Sequence, residues 1–164
     1  MGLFWEDFRL GETLRTPTRT VTESDVSLFA GLTADHNELH TSATYAAERT
    51  PFGQRVAHGL LCLGICNGLL AQAGLYEGTA LALLGIEDWR FVAPVFLGDT
   101  LGAEWVAMDL RPSRSRPGAG VVRAHVVLRK QDGATVQEGT VALLFRRRGE
   151  PPRSGSAGVG GGGD

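Results

Sequence analysis

The chain has 164 residues, 43% of them hydrophobic and 21% charged, with a formal net charge of −2. That length and apolar content suit one globular domain with its own core and exclude a disordered chain. A near-balanced charge gives no global field for nucleic acid, so no nucleic-acid partner is expected.

The opening "MGLFWEDFRLGE" has no basic flank followed by a long apolar core, so no signal peptide is expected. Gly2 follows Met1, but Glu6 stands where a myristoylation signal wants Ser or Thr. "VTESDVSLFAGLT" (21–33) predicts a short helix. Thr22 or Ser24 would cap it, acids fill its first turn, and Val26, Phe29 and Ala30 share a face. "SATYAAERT" (42–50) predicts another, capped by Thr41 or Ser42 and stopped by Pro51 and Gly53.

The longest apolar run, "VAHGLLCLGICNGLLAQAGL" (56–75), is about as long as a membrane span, and Gly64 and Gly68 form a GxxxG pair. His58, Asn67 and Gln72 interrupt it and no basic cluster flanks it, so a buried helix over about 57–74, ending near Gly74, is expected instead. Cys62 and Cys66 lie four apart on that helix, where a disulfide is geometrically awkward. They read as small buried hydrophobes of a reducing, cytoplasmic compartment.

Four segments with strand alternation come next: 79–97, 99–113, 120–133 and 134–148. Asp132-Gly133 predicts a hairpin, and Gly98-Asp99 another tight reversal. A helix apolar nearly all round, followed by long antiparallel strands, implies an α+β fold whose sheet curls around that helix. "RPSRSRPG" (111–118) reads as a solvated hairpin loop, with carrier phosphates as its functional alternative. Arg146, Arg147 and Arg148 are expected to face water.

"LTADHNELH" (32–40) concentrates titratable side chains between the first two helices. Asp35 and His40 are five residues apart, and in one continuous helix they would point roughly 140° apart. They can share a cleft if the helix ends between them, and Asn37 suits such an ending. A metal site would use His36 and His40 with a third ligand from His58, His125 or a carboxylate, but Glu38 is not where a zincin motif needs it. A polar turn with capping side chains is the structural alternative. The acid–base reading gains from His58-Gly59 at the start of the long helix. Its unpaired N–H groups suit a developing oxyanion, and a glycine lets a carbonyl approach.

"FAGLTADHNELHTSATYAAERTPFGQRVAHGLL" resembles the MaoC-like branch of the hot-dog fold, the (R)-specific enoyl-thioester hydratases and dehydratases. Asp35, Asn37 and His40 match the Asp-x-Asn-Pro-x-His signature, and Phe52-Gly53 and His58-Gly59 match the family's pattern downstream of it. "WEDFRLGETL" (5–14) and "FVAPVFLGDTLGAEWVAM" (91–108) extend the likeness to roughly residues 5–147. Glu38 replaces the signature's proline, and Gly64 replaces a serine common in the hydratases.

The resemblance implies an antiparallel sheet wrapped around a long central helix, as one hot-dog domain over 1–150 with a flexible Gly/Ser-rich tail over 151–164. It implies a homodimer or a multiple of one, no membrane partner, and an acyl thioester of coenzyme A as substrate, with acyl carrier protein as the other carrier. Asp35 and His40 would be catalytic and Gly59 would form the oxyanion hole. Asn37 and His58 would support them, and Gly64 would face the acyl group. No metal and no organic cofactor would be required. A hot-dog thioesterase and a non-catalytic acyl-thioester-binding subunit are the rival readings.

Overall fold

The computed structural model describes residues 1–149, and the Gly/Ser-rich tail expected beyond them lies outside the described residues. The fold is organised by the apolar helix, which runs Gly59–Gln72 and buries Cys62, Ile65, Cys66, Leu69 and Leu70. It starts two residues later than the sequence suggests because the preceding residues are held as extended chain. Val56 bridges Phe96, and the Ala57 N–H donates to the Val95 carbonyl at 2.7 Å. It stops at Gly74, whose φ of 82° lets the Gly74 and Leu75 N–H groups cap the carbonyls of Ala71 and Leu70.

Around this helix lie five antiparallel strands: β1 (Thr13–Thr20), β2 (Ala80–Phe91), β3 (Thr100–Pro112), β4 (Ala119–Lys130) and β5 (Thr135–Arg146). Their spatial order is β1-β3-β4-β5-β2. On the inner face, Leu101, Ala103 and Trp105 of β3 alternate with more exposed residues, as do Val122, Ala124 and Val126 of β4. Together with Val141, Leu143 and Phe145 of β5 they form one core with the helix. This is the hot-dog arrangement. Both turns read from the sequence are present, with Gly133 at φ 84° and Gly98 at φ 96°.

Three differences from the sequence reading have physical causes. β1, "TLRTPTRT", is absent from that reading. It is a largely polar edge strand whose pairing with β3 shifts register between Arg15 and Thr18, around Pro17. β2 ends at Phe91 rather than near residue 97, where the chain turns toward the long helix. Arg147 and Arg148 do not simply face water, for they pair with Glu6 and Asp7 and lie over the rings of Trp5 and Phe4.

The smaller helices all precede the long one: α1 (Glu23–Thr33), α2 (Glu38–Thr41) and α3 (Ala43–Arg49), which makes Gly59–Gln72 α4. Thr22 caps α1, accepting from the Asp25 N–H at 3.3 Å while Asp25 accepts from the Thr22 N–H at 2.8 Å. The sheet does not close fully around α4. Leu60, Gly64, Asn67 and Ala71 form an exposed line along one side of it. Among the described residues no helix is long and apolar enough to cross a membrane.

The β2–β3 reversal is pinned by Asp99. Its carboxylate accepts from the Phe96 N–H at 2.8 Å, from Lys130 at 3.1 Å and from Gln131 at 3.0 Å. Burial pushes the Asp99 carboxyl upward, but these donors and the Lys130 charge outweigh it and hold the group below its usual range. A lowered folded value contributes stability above the unfolded value and loses it as pH falls through the folded one. Asp99→Asn should therefore cost about 1–3 kcal/mol in urea unfolding at pH 7. The gap from wild type should narrow as pH drops below about 3.9.

Candidate active site

The chain reaches the site by stopping one helix early. α1 ends at Thr33, whose hydroxyl donates back to the Phe29 carbonyl at 2.7 Å, and Ala34 follows in the left-handed region at φ 62°. Asp35 and His36 therefore lie in a loop. Asn37 does not end a helix, as the sequence suggests, but begins one. Its side chain accepts from the Leu39 N–H at 3.0 Å and caps α2. The Asn37 N–H in turn donates to the Asp35 carboxylate at 3.4 Å. Asn37 thus shapes the loop through its side chain and touches the carboxylate through its main chain, so capping and the Asp35–His40 approach coexist.

His40, the third residue of α2, is half-buried. Its Nδ1 lies 2.7 Å from the Val56 carbonyl. A carbonyl only accepts, so Nδ1 carries the proton and Nε2 is the acceptor of the neutral ring. His58, immediately before α4, is 2% exposed. Its Nε2 lies 3.0 Å from the Asp35 main-chain carbonyl, and its ring stacks on His40 with centroids 3.8 Å apart and planes 29° apart. Asp35, His40 and His58 present ligand-type atoms within 4.8 Å of one another.

Such a cluster is also what a metal would need. In this cluster each ring already has one nitrogen engaged by a main-chain carbonyl, which leaves one nitrogen per ring for any ion. The metal pair considered from the sequence is not assembled. His36 is exposed and outside the cluster, and His125 sits on β4 beside Glu138.

Gly59 is the first residue of α4, so its N–H belongs to the group a helix leaves without an internal partner. It shares an apolar cleft of about 440 Å³ with His40, Phe52, Val56, Cys62, Phe91 and Val95. A Cβ at Gly59 would come 2.7 Å from the Phe91 ring, so the glycine admits a close neighbour here. Burial pushes the thiol of Cys62, in the cleft wall, up to about 12, so it stays protonated and apolar.

One residue of this cleft escapes the sequence reading. Gln137 on β5 is 2% exposed, donates to the Gly59 carbonyl at 2.9 Å and accepts from the Trp89 indole at 3.1 Å. It anchors the first turn of α4 to the sheet. Its signal is a polar side chain in period-two register with the inward-facing Val141, Leu143 and Phe145.

Gly64 falls elsewhere. It lines a second cleft of about 330 Å³ with Phe29, Leu61, Ile65, Gly68 and Gln72. Phe29 also packs on His58, at 4.9 Å between centroids, so the two clefts meet the histidine stack through different residues. The arginine loop 111–118 is remote within one chain. It lies at the Ala119–Arg146 end of the sheet, nine residues of β5 from Gln137, or roughly 30 Å at strand rise.

The "MaoC like domain" family matches residues 7–130, and the chain belongs to that family. It is 36% identical over 114 residues to a 3-hydroxybutyryl-CoA dehydratase of Methylorubrum extorquens, covering 70% of this chain and 69% of that one. It is 35% identical over 111 residues to an (R)-specific enoyl-CoA hydratase of Rhodospirillum rubrum, covering 68% and 74% respectively. The match to Protein MaoC of Klebsiella aerogenes is 40% over 98 residues but spans 60% of this chain and 28% of that protein. Among solved structures, an R-hydratase from Pseudomonas aeruginosa superposes with a TM-score of 0.75 at 28% identity, covering 93% of this chain and 96% of that one.

Among the described residues a Cβ at Gly64 would meet nothing within 4 Å, so the sheet does not require a glycine there. Gly64→Ser should leave thermal stability unchanged or raise it, since glycine in a helix interior costs up to about 1 kcal/mol. A melt lowered by several degrees would show that this face of α4 is packed.

Proposed function

We propose that the protein adds water reversibly across the 2,3 double bond of a 2-enoyl thioester, or removes it from the 3-hydroxyacyl thioester. One observation carries this reading: His40 and Gly59 line the same apolar cleft, and Asp35 lies beside His40, with ligand-type atoms within 4.8 Å. The activities named for the two bacterial relatives agree with it.

In this mechanism the thioester oxygen accepts from the Gly59 N–H, which strengthens as enolate charge develops. Losing such a donor typically costs about 10²–10³ in rate. Asp35 holds the water and takes its proton as the oxygen attacks C3. His40, whose Nε2 is the free acceptor of its ring, holds the water through its other O–H, and the proton taken by Asp35 is returned through this pair to C2 on the same face. Asn37 and His58 keep the pair in place. The carbonyl of the thioester itself receives the charge, so neither a metal nor a redox cofactor takes part. The cleft beside Gly59 takes the reacting end of the acyl group, and the cleft lined by Gly64 is the place for its further carbons. Coenzyme A is the carrier this reading favours, with acyl carrier protein as the alternative.

Crotonyl-CoA separates the readings. Hydration should consume the enoyl absorbance without releasing free thiol, whereas thiol release would favour a thioesterase, and binding without turnover a non-catalytic subunit. Asp35→Asn and His40→Gln should each slow hydration by about a hundredfold or more while melting like the wild type. Near-normal turnover in either variant would remove that residue from the mechanism.

The partner is a second copy of the chain. β2 is an edge strand, and Leu83 and Leu84 on it are 53% and 51% exposed, with Ile86 and Phe91 also open. An apolar edge of this kind needs covering, and pairing two such edges about a two-fold closes both. Light scattering should give a dimer or a multiple of it at micromolar concentration, and Leu84→Lys should shift it toward monomer. A fully active monomeric wild type would overturn this assembly.

A further inference from the structure

His58 is the buried titratable group that the proposed mechanism leaves without a chemical step. It precedes α4 but makes no side-chain cap, so helix capping does not explain it. Its Nε2 faces the Asp35 main-chain carbonyl at 3.0 Å and must be the protonated nitrogen, because that carbonyl can only accept. Nδ1 is then the acceptor of the neutral ring, and it is buried with no hydrogen-bond partner among the described residues. Buried polar atoms are rarely left so, and each calls for an explanation.

Three groups surround the ring: Phe29 from α1 at 4.9 Å between centroids, His40 from α2 at 3.8 Å, and Asp35 from the intervening loop. Asp35 and His40 are the titratable groups that face it in the cluster. Among the described residues Nδ1 has no acceptor within hydrogen-bond reach, whereas Nε2 has one, so the ring proton belongs on Nε2. The unpartnered nitrogen is therefore the cost of holding one tautomer.

We propose that His58 is a positioning residue: as the Nε2–H tautomer it pins the Asp35 main chain by hydrogen bond and the His40 ring by stacking, fixing the acid–base pair relative to each other. This rests on the hydratase reading above. His58 touches no reacting atom, since Nδ1 is closed to solvent. It acts because Asp35 sits in a loop beyond the end of α1, where His58, from the far side of the site, grips its carbonyl.

Two variants separate the hydrogen bond from the ring. His58→Phe keeps an aromatic face for His40 and removes the donor, whereas His58→Gln keeps an N–H donor of similar reach and removes the ring. With crotonyl-CoA, His58→Phe should lower kcat by about ten- to a hundredfold with KM little changed, the size expected when reacting groups are misplaced by around an ångström. His58→Gln should recover most of that loss. Ring nitrogen-15 shifts of the wild type should show His58 protonated at Nε2 and bare at Nδ1. Wild-type kcat in His58→Phe, equal losses in both variants, or a loss accompanied by unfolding would each overturn the assignment, as would the opposite tautomer. If the wild type itself fails to hydrate crotonyl-CoA, the reaction is wrong, and the nitrogen shifts still decide the tautomer on their own.

Discussion

Burying α4 is the constraint on which the other elements depend. Five of its fourteen residues, Cys62, Ile65, Cys66, Leu69 and Leu70, are removed from water, each of the aliphatic ones contributing about 1.5–3 kcal/mol as an upper estimate. No single flat face could cover such a helix, so the sheet must curl. A curled sheet covers the sides of the helix but leaves its first turn at the rim. The N–H groups that a helix cannot satisfy internally are thus presented where a ligand can reach them. The chain between β1 and α4 has to cross that rim, and it is this crossing that carries Asp35, His40 and His58.

The site is then set largely by main-chain carbonyls. The Val56 carbonyl fixes the proton of His40 on Nδ1, and the Asp35 carbonyl fixes that of His58 on Nε2. Val56 can do this because its neighbour Ala57 is tied to Val95 and because Val56 itself bridges Phe96. The tautomer of His40 thus depends on strand-like pairing made before α4 begins. Gln137 provides the matching anchor from the sheet side, holding the Gly59 carbonyl while Trp89 holds Gln137. Gly139 makes room for that tryptophan, since a Cβ there would lie 2.6 Å from its ring.

What can be read from the sequence divides along physical lines. Helices with strong local signals are legible: Thr22 and Ser42 both cap as expected, and Gly74 ends α4. Strands with clear alternation and glycine turns are legible too. β1 is not, because an edge strand exposes most of its residues and tolerates Pro17, so its composition resembles a loop. The closeness of Asp35 and His40 is legible, but its cause lies elsewhere than the sequence suggests. The break comes from Ala34 adopting a left-handed conformation, for which alanine gives no sequence signal. Gln137 and Trp89 lie far along the chain from Gly59, and only the assembled sheet brings them beside it.

The departure at Glu38 shows how little of the turn depends on the residue it replaces. Asn37 is the cap of α2 and Glu38 its first helical position, where a proline would lose only an N–H that has no helical partner anyway. A proline at 38 would also force residue 37 into extended backbone. Asn37 already lies there, at φ −53° and ψ 133°, held by its own side-chain bond to the Leu39 N–H. The carbonyl of Glu38 still accepts from the Ser42 N–H at 2.9 Å, as a proline carbonyl would. A carboxylate in the first turn adds a favourable interaction with the helix dipole in place of the ring's rigidity. The conformation that aims the loop is therefore specified by asparagine capping, with proline as a reinforcement the chain can do without.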